Sequence, residues 1–208
     1  MLEERAPLTR RERARQQVRQ SILDAALEIA AREGWHAVTT RKIAEKIEYS
    51  LPTLYEHFKS KAAVLEELNR AGHRQLLAAL RAARQRADTP AAGAREIALA
   101  YCAFAWQHRE LYEVMHGLSG APLERAAYLA EAEALLDEAR AALEAWARSE
   151  GLQLRRLDDA VQILWASLHG IAALALARQL PGGKKRAAAL AARGVEDLLS
   201  AWRNAGWV

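Results

Sequence analysis

Apolar positions recur along most of this chain at the three- and four-residue spacing of amphipathic helices, and no stretch of useful length reads as a strand. Ile22, Ala25 or Ala26, and Ile29 mark one face of a first helix, expected over about residues 9–33 and stopped by Gly34 in the C′ position. Thr39 caps a second helix, with Ile43 and Ile47 on one face. Ser50 caps a third, and Pro52 sits in its first turn, where a missing N–H costs nothing. Leu54 and Phe58 are its inner positions. Ser60 caps a long fourth helix carrying Val64, Leu65, Leu68, Leu76, Leu77 and Leu80. After a break at 86–93, a fifth helix is expected over about 90–108 and a short sixth ending at Gly117. A loop at 118–122 precedes a seventh helix over 123–149. Asp158 caps an eighth running to about Gln179, and residues 181–185 link it to a ninth ending near Asn204. The pattern predicts an all-α protein of about nine helices in two parts.

The eighth helix is apolar nearly all round, with Val161, Ile163, Leu164, Trp165, Leu168, Ile171, Leu174 and Leu176, so it must be covered on more than one side. The ninth carries a stripe at Ala191, Val195, Leu198 and Trp202. Surplus apolar surface on a terminal helical hairpin fits a homodimer interface, with Val161, Leu168, Ile171, Val195, Leu198 and Trp202 as its residues. The plainer alternative is that the hairpin packs across helices of its own domain.

Composition narrows the setting. Gly (11) and Pro (5) are sparse among 208 residues, which favours helix throughout. The single cysteine, Cys102, excludes an internal disulfide and Cys-based zinc sites, fits a reducing cytoplasm, and reads as a small core filler. No signal peptide is expected from the charged N-terminus, and the run at 171–177 is far shorter than the roughly 18 residues of a membrane span, so no membrane partner is expected. The net charge of +4 is unevenly placed: Arg5, Arg10, Arg11, Arg13, Arg15 and Arg19 face only Glu12 in the same stretch. Such an arm suits a polyanion, or is simply a solvated end.

A helix, a short break at Glu48-Tyr49-Ser50 and a second short helix form a helix-turn-helix pattern. Ile43, Ile47, Leu54 and Phe58 supply its inner faces. The outer face of the 50–58 helix is left for a partner, and an α-helix fits the major groove of DNA. Arg41 can reach guanine or phosphate; Thr40 and Ser50 offer hydroxyls; Tyr55, His57 and Lys61 suit backbone contacts; Pro52 and Thr53 are short enough for close approach.

The stretch TTRKIAEKIEYSLPTLYEHFKSKAAVL resembles the DNA-binding domain of the TetR family of bacterial transcriptional regulators. The resemblance implies DNA contacts from Thr40 and Arg41, from Leu51, Pro52, Thr53, Tyr55 and His57 on the recognition helix, and from Lys61. With the charge run read as a basic arm at 1–14, it implies a DNA-binding domain at 15–75 and a ligand-binding and dimerisation domain at 76–208. The turn departs from the family pattern: Glu48 stands where a glycine is usual, at a position that disfavours a side chain.

The second half resembles the family's WHG type through the patches 101–117 and 164–172, with Trp165, His169 and Gly170. Tyr101, Phe104, Trp106, His108, Tyr112, Met115, Trp165 and His169 are candidates to line a pocket for a small apolar or aromatic-compatible effector. The plainer reading makes them core, with His169 a hydrogen-bonded structural histidine and Gly170 a point of close helix approach. The resemblance implies a homodimeric repressor released from double-stranded operator DNA by a ligand. The alternative is an activator, or an interaction module without an effector. The six histidines show no metal-ligand spacing and there is no phosphate loop or nucleophile elbow, so no enzyme activity, cofactor or metal is expected.

Overall fold

The computed structural model describes residues 9–118, 120 and 124–204. Among the described residues there are nine α-helices: α1 Arg10–Glu33, α2 Thr40–Lys46, α3 Leu51–His57, α4 Lys61–Gln85, α5 Pro90–Gln107, α6 Arg109–Met115, α7 Leu129–Ser149, α8 Leu157–Leu176 and α9 Gly183–Asn204. Short 3-10 turns occupy Trp35–Ala37 and Arg125–Ala127.

The expected caps at Thr39, Ser50 and Ser60 are in place, each accepting a backbone N–H from the first turn of its helix. Thr9 and Glu12 form a reciprocal capping box at the start of α1. Residues 10–14 of the expected arm are therefore helical; Arg5 lies outside the described residues. Three boundaries differ from expectation. The seventh helix starts at Leu129, after a 3-10 turn. Asp158 is not a cap: α8 begins one residue earlier, and Asp158 and Asp159 sit in its first turn, where acids complement the helix dipole. Helix α8 ends at Leu176.

The turn between α2 and α3 explains Glu48. Its φ is +58°, in the left-handed region. The Tyr49 N–H reaches Ala44 O at 3.0 Å and the Glu48 N–H reaches Glu45 O at 3.2 Å. These are the paired bonds of a Schellman motif, with Glu48 at C′. Arg178 (φ +57°) ends α8 in the same way, with Gln179 N–H on Leu174 O and Arg178 N–H on Ala175 O.

Helices α1–α3 form a head over the start of α4. Its core is Ile22, Ala26, Ile29, Val38, Ile43, Leu54, Phe58, Val64 and Leu65. The rest of α4 continues into a bundle, packing on α5, α6 and α7, while α5 meets α9 and α8. Buried Glu138 of α7 accepts from Arg81 Nε at 3.2 Å and Arg84 Nε at 2.5 Å, tying α7 to the far end of α4.

The expected dimer residues are mostly core residues of the protomer. Val161 (1% exposed), Leu168, Val195 and Trp202 (3%) are buried among the bundle's own helices, and Ile171 and Leu198 pack against that core. The reason is that α8 turns a stripe toward α5, α7 and α9, and α9 turns one toward α5 and α8. The large apolar residues left exposed on α8 are Ile163, Trp165 and Leu174 (45% exposed), with Gly170 between the last two in the chain. A Cβ at Gly170 would meet nothing within 4 Å, so this glycine serves no close approach inside the protomer. By length and composition α8 could cross a membrane; Ala160, Val161, Leu164, Leu168, Ala172 and Ala175 are packed inside the bundle.

Candidate nucleic-acid interface

The short helix α3 is held from below. Leu54 and Phe58 are buried in the head, and Leu51 packs half-buried against them, so Leu51 does not belong to the outer face. Arg19 of α1 donates from Nη1 to His57 O at 2.7 Å, lies 4.2 Å above the Phe58 ring, and comes within 3.8 Å of Glu67 on α4. One guanidinium thus binds the C-terminal end of α3 to both neighbouring helices. The sequence placed Arg19 in a polyanion-facing arm; its neighbours in space give it a positioning role. Nothing in the local pattern distinguishes it from Arg15.

The outer surface carries Arg41, Pro52 and Tyr55, all exposed, with Thr40 and Thr53 partly covered. Thr40 Oγ1 lies 3.4 Å from Tyr55 Oη, joining the starts of α2 and α3 into one polar edge. Ser50 Oγ accepts the Thr53 N–H at 3.2 Å and lies 2.7 Å from Thr53 Oγ1, which fixes both hydroxyls. Tyr49, exposed in the turn, adds a surface aromatic that the sequence reading did not single out. Two residues are placed differently from expectation. His57 turns toward α1, where burial and the nearby Arg15 and Arg19 charges lower its pKa. Lys61 donates to Trp35 O at 3.1 Å, bracing the head. Lys42–Glu33 and Lys46–Glu28 pairs, each at 2.6 Å, fasten α2 to α1; the lysines hold both carboxyls below their usual range.

Deeper in the bundle is a cavity of about 400 Å³ between α4, the end of α6, the start of α7 and α8. His73, Tyr128, Leu135, Leu136, Trp165 and His169 are among its walls, together with Met115 and His116. Among the described residues, no Lys, Arg, Asp or Glu lines it. Two ring pairs border it: His73 and Tyr128 at 5.4 Å with 29° between planes, and Trp165 and His169 at 5.4 Å with 7° between planes. Behind them, Tyr112 Oη contacts His169 Nδ1 at 2.7 Å, and Tyr101 Oη lies 3.3 Å from His116 Nε2. Burial, with the neighbouring His169 and His73, pushes the His116 pKa down to about 3. Burial likewise lowers His73 and His169 and raises the Tyr101 and Tyr112 phenols.

Residues 22–68 match the family model described as bacterial regulatory proteins, tetR family, and residues 94–198 match the model described as tetracyclin repressor-like, C-terminal domain. The chain belongs to the TetR family. This is a family of DNA-binding transcriptional regulators and not of enzymes. The TetR C-terminal model matched is the tetracyclin repressor-like one, where the sequence suggested the WHG type. The class D tetracycline repressor of Escherichia coli is 48% identical over 50 residues, 24% of this chain and 23% of that protein. The repressor KstR of Mycolicibacterium smegmatis is 42% identical over 52 residues, 25% and 26% of the two chains. The chain thus spans about a quarter of the length of these curated TetR relatives. The solved TetR-family regulator PfmR of Thermus thermophilus superposes with a TM-score of 0.67 at 21% identity, covering 86% of this chain and 97% of that one, a likeness of fold alone.

Within this TetR-family chain the expected effector residues divide. Met115, Trp165 and His169 line the cavity. Tyr101, Phe104 and Tyr112 are buried core residues. Trp106 borders a separate crevice beside Cys102, and His108 is exposed at the α5–α6 junction. His73, His116, Tyr128, Leu135, Leu136 and Gln162 were not anticipated. The only sequence signal for the first two was their chemistry; their distance along the chain hid the grouping. Cys102 is buried, and burial pushes its thiol up to about 11, which suits a core filler.

Proposed function

We propose that this chain is a homodimeric repressor whose α2–α3 face binds operator DNA and which leaves it when a small molecule fills the cavity. One observation carries the switch. His73, in the cavity wall, belongs to α4, whose first turns hold Val64, Leu65 and Leu68 in the core of the head. Gly72, next to it, supports the same link: a Cβ there would lie 2.6 Å from Met115 Sδ, so α6 and α4 meet with no slack. Asn69 Nδ2, one turn earlier, donates to Val114 O of α6 at 3.2 Å. A ligand displacing Met115 or His73 therefore pushes directly on the helix that carries the head. It shifts the equilibrium only by its differential affinity for the two arrangements.

The second copy is supported by the outward strip of α8, Ile163–Gly170–Leu174, an apolar face with an open glycine at its centre. Two heads related by that pairing would present α3 to major grooves roughly 34–36 Å apart, or at a related spacing, on a near-palindromic site.

Selection of bound sequences from a genomic DNA pool, followed by gel shift on the selected site, tests the reading. A palindromic site bound at moderate salt is expected. Failure to select any sequence, at low salt and with folded dimer, would leave an interaction module instead.

A further inference from the structure

The tautomer of His73 is fixed by its surroundings. Its Nδ1 lies 2.9 Å from Asn69 O, and a carbonyl oxygen only accepts, so Nδ1 carries the hydrogen. In the neutral ring Nε2 is then a bare acceptor, and it has no hydrogen-bond partner among the described residues. The ring as a whole is almost fully buried, which disfavours protonation, while Nε2 is not among the sealed-off polar atoms, so this acceptor can be reached by a donor in the cavity.

The remaining walls are flat or apolar. The Trp165–His169 stack and the His73–Tyr128 stack offer ring faces, while Leu135, Leu136 and Ala132 supply apolar surface. Among the described residues, no fixed charge in the lining would pair with an ionised ligand.

From this geometry we infer that the effector is an uncharged planar aromatic molecule carrying a hydroxyl or N–H donor, and that His73 Nε2 reads the donor. The inference rests on the cavity being the effector site and adds the chemical class to it. The acceptor sits on α4, so the recognising bond is made on the helix that must move. A molecule of the same shape that carries only an acceptor would place two lone pairs together and leave both desolvated, which buried polar sites reject strongly.

The test uses full-length protein and matched probes: 2-naphthol, its methyl ether 2-methoxynaphthalene, and 2-naphthoate, titrated by calorimetry. The expected result is 2-naphthol bound at least about tenfold tighter than the ether or the carboxylate. In His73→Leu the preference over the ether should fall below about threefold, while His73→Gln, which keeps an acceptor, retains part of it. An ether that binds as well as the naphthol, a naphthoate that binds better, or a preference intact in His73→Leu overturns the inference. Leu136→Trp, which fills the cavity, separates the two levels. If it abolishes binding of naphthol and ether alike and these bind equally, the cavity stands as the effector site and only the donor rule falls. If neither probe binds the wild type, or Leu136→Trp changes nothing, both fall. The wild-type probe comparison requires no variant to fold.

Discussion

Glu48 offers a clean measurement of backbone strain at the helix-turn-helix turn. Its φ of +58° places a Cβ against the following carbonyl, which costs roughly 1–2 kcal/mol for an L-residue. Glycine removes that contact but gains about 0.4–1 kcal/mol of unfolded-chain freedom. The two backbone bonds that close the turn, at 3.0 and 3.2 Å, involve no side chain and survive the substitution. Glu48→Gly should therefore stabilise the protein by about 0.5–1 kcal/mol. Glu48→Ala removes the same charge and keeps the Cβ, so it should stay within about 0.5 kcal/mol of wild type. Urea denaturation at one fixed protomer concentration, with m unchanged, reads the difference as a shift in midpoint. Both variants remove one negative charge beside the DNA-facing edge, so both should bind DNA slightly better at low salt, and by similar amounts. A glycine variant no more stable than the alanine variant would refute the strain argument.

Arg41→Ala should cost on the order of 1–3 kcal/mol of operator binding if Arg41 reads a base, concentrated at one operator position; a loss uniform across operator variants would assign it to phosphate. Arg19→Met keeps the apolar stem but removes the bond to His57 O and the contact with Phe58, and should weaken DNA binding on the order of tenfold in a gel shift. Unchanged affinity would mean that α3 holds its position without Arg19. His116 is neutral in the fold and takes up a proton near its ordinary 6.5 when unfolded, so the unfolded state binds more protons between about pH 6.5 and 3. Its contribution is fully present above that window and is lost as pH falls through it, by at most about 1.4 kcal/mol per pH unit; His116→Phe should flatten the stability–pH slope there, and an unchanged slope would place the proton uptake elsewhere. With the proposed pairing through α8, Leu174→Arg should shift sedimentation from dimer to monomer without loss of helix content, because Leu174 is exposed in the protomer; an intact dimer would move the interface off α8.

The order and number of helices and the helix-turn-helix were legible because caps and apolar spacing are local. Thr39, Ser50 and Ser60 mark starts, and Gly34 and the turn around Glu48 mark stops, through bonds made within a few residues of each. Where the signal weakens, as between Gly117 and Leu129, the sequence pattern starts α7 six residues early.

The sequence by itself determined an all-helical chain, a recognition helix with a polar outer edge, and a strained residue in the turn before it. Only the tertiary structure decided which apolar stripe of α8 is core and which is free, since periodicity gives the width of a stripe and not what covers it. Leu168 went inside and Leu174 outside although both lie on an apolar helix. The tertiary structure also brought together His73, His116 and His169, three residues separated by whole helices. Such a grouping is set by how α4, α6 and α8 cross, and a helix crossing is made by side chains far apart in the chain.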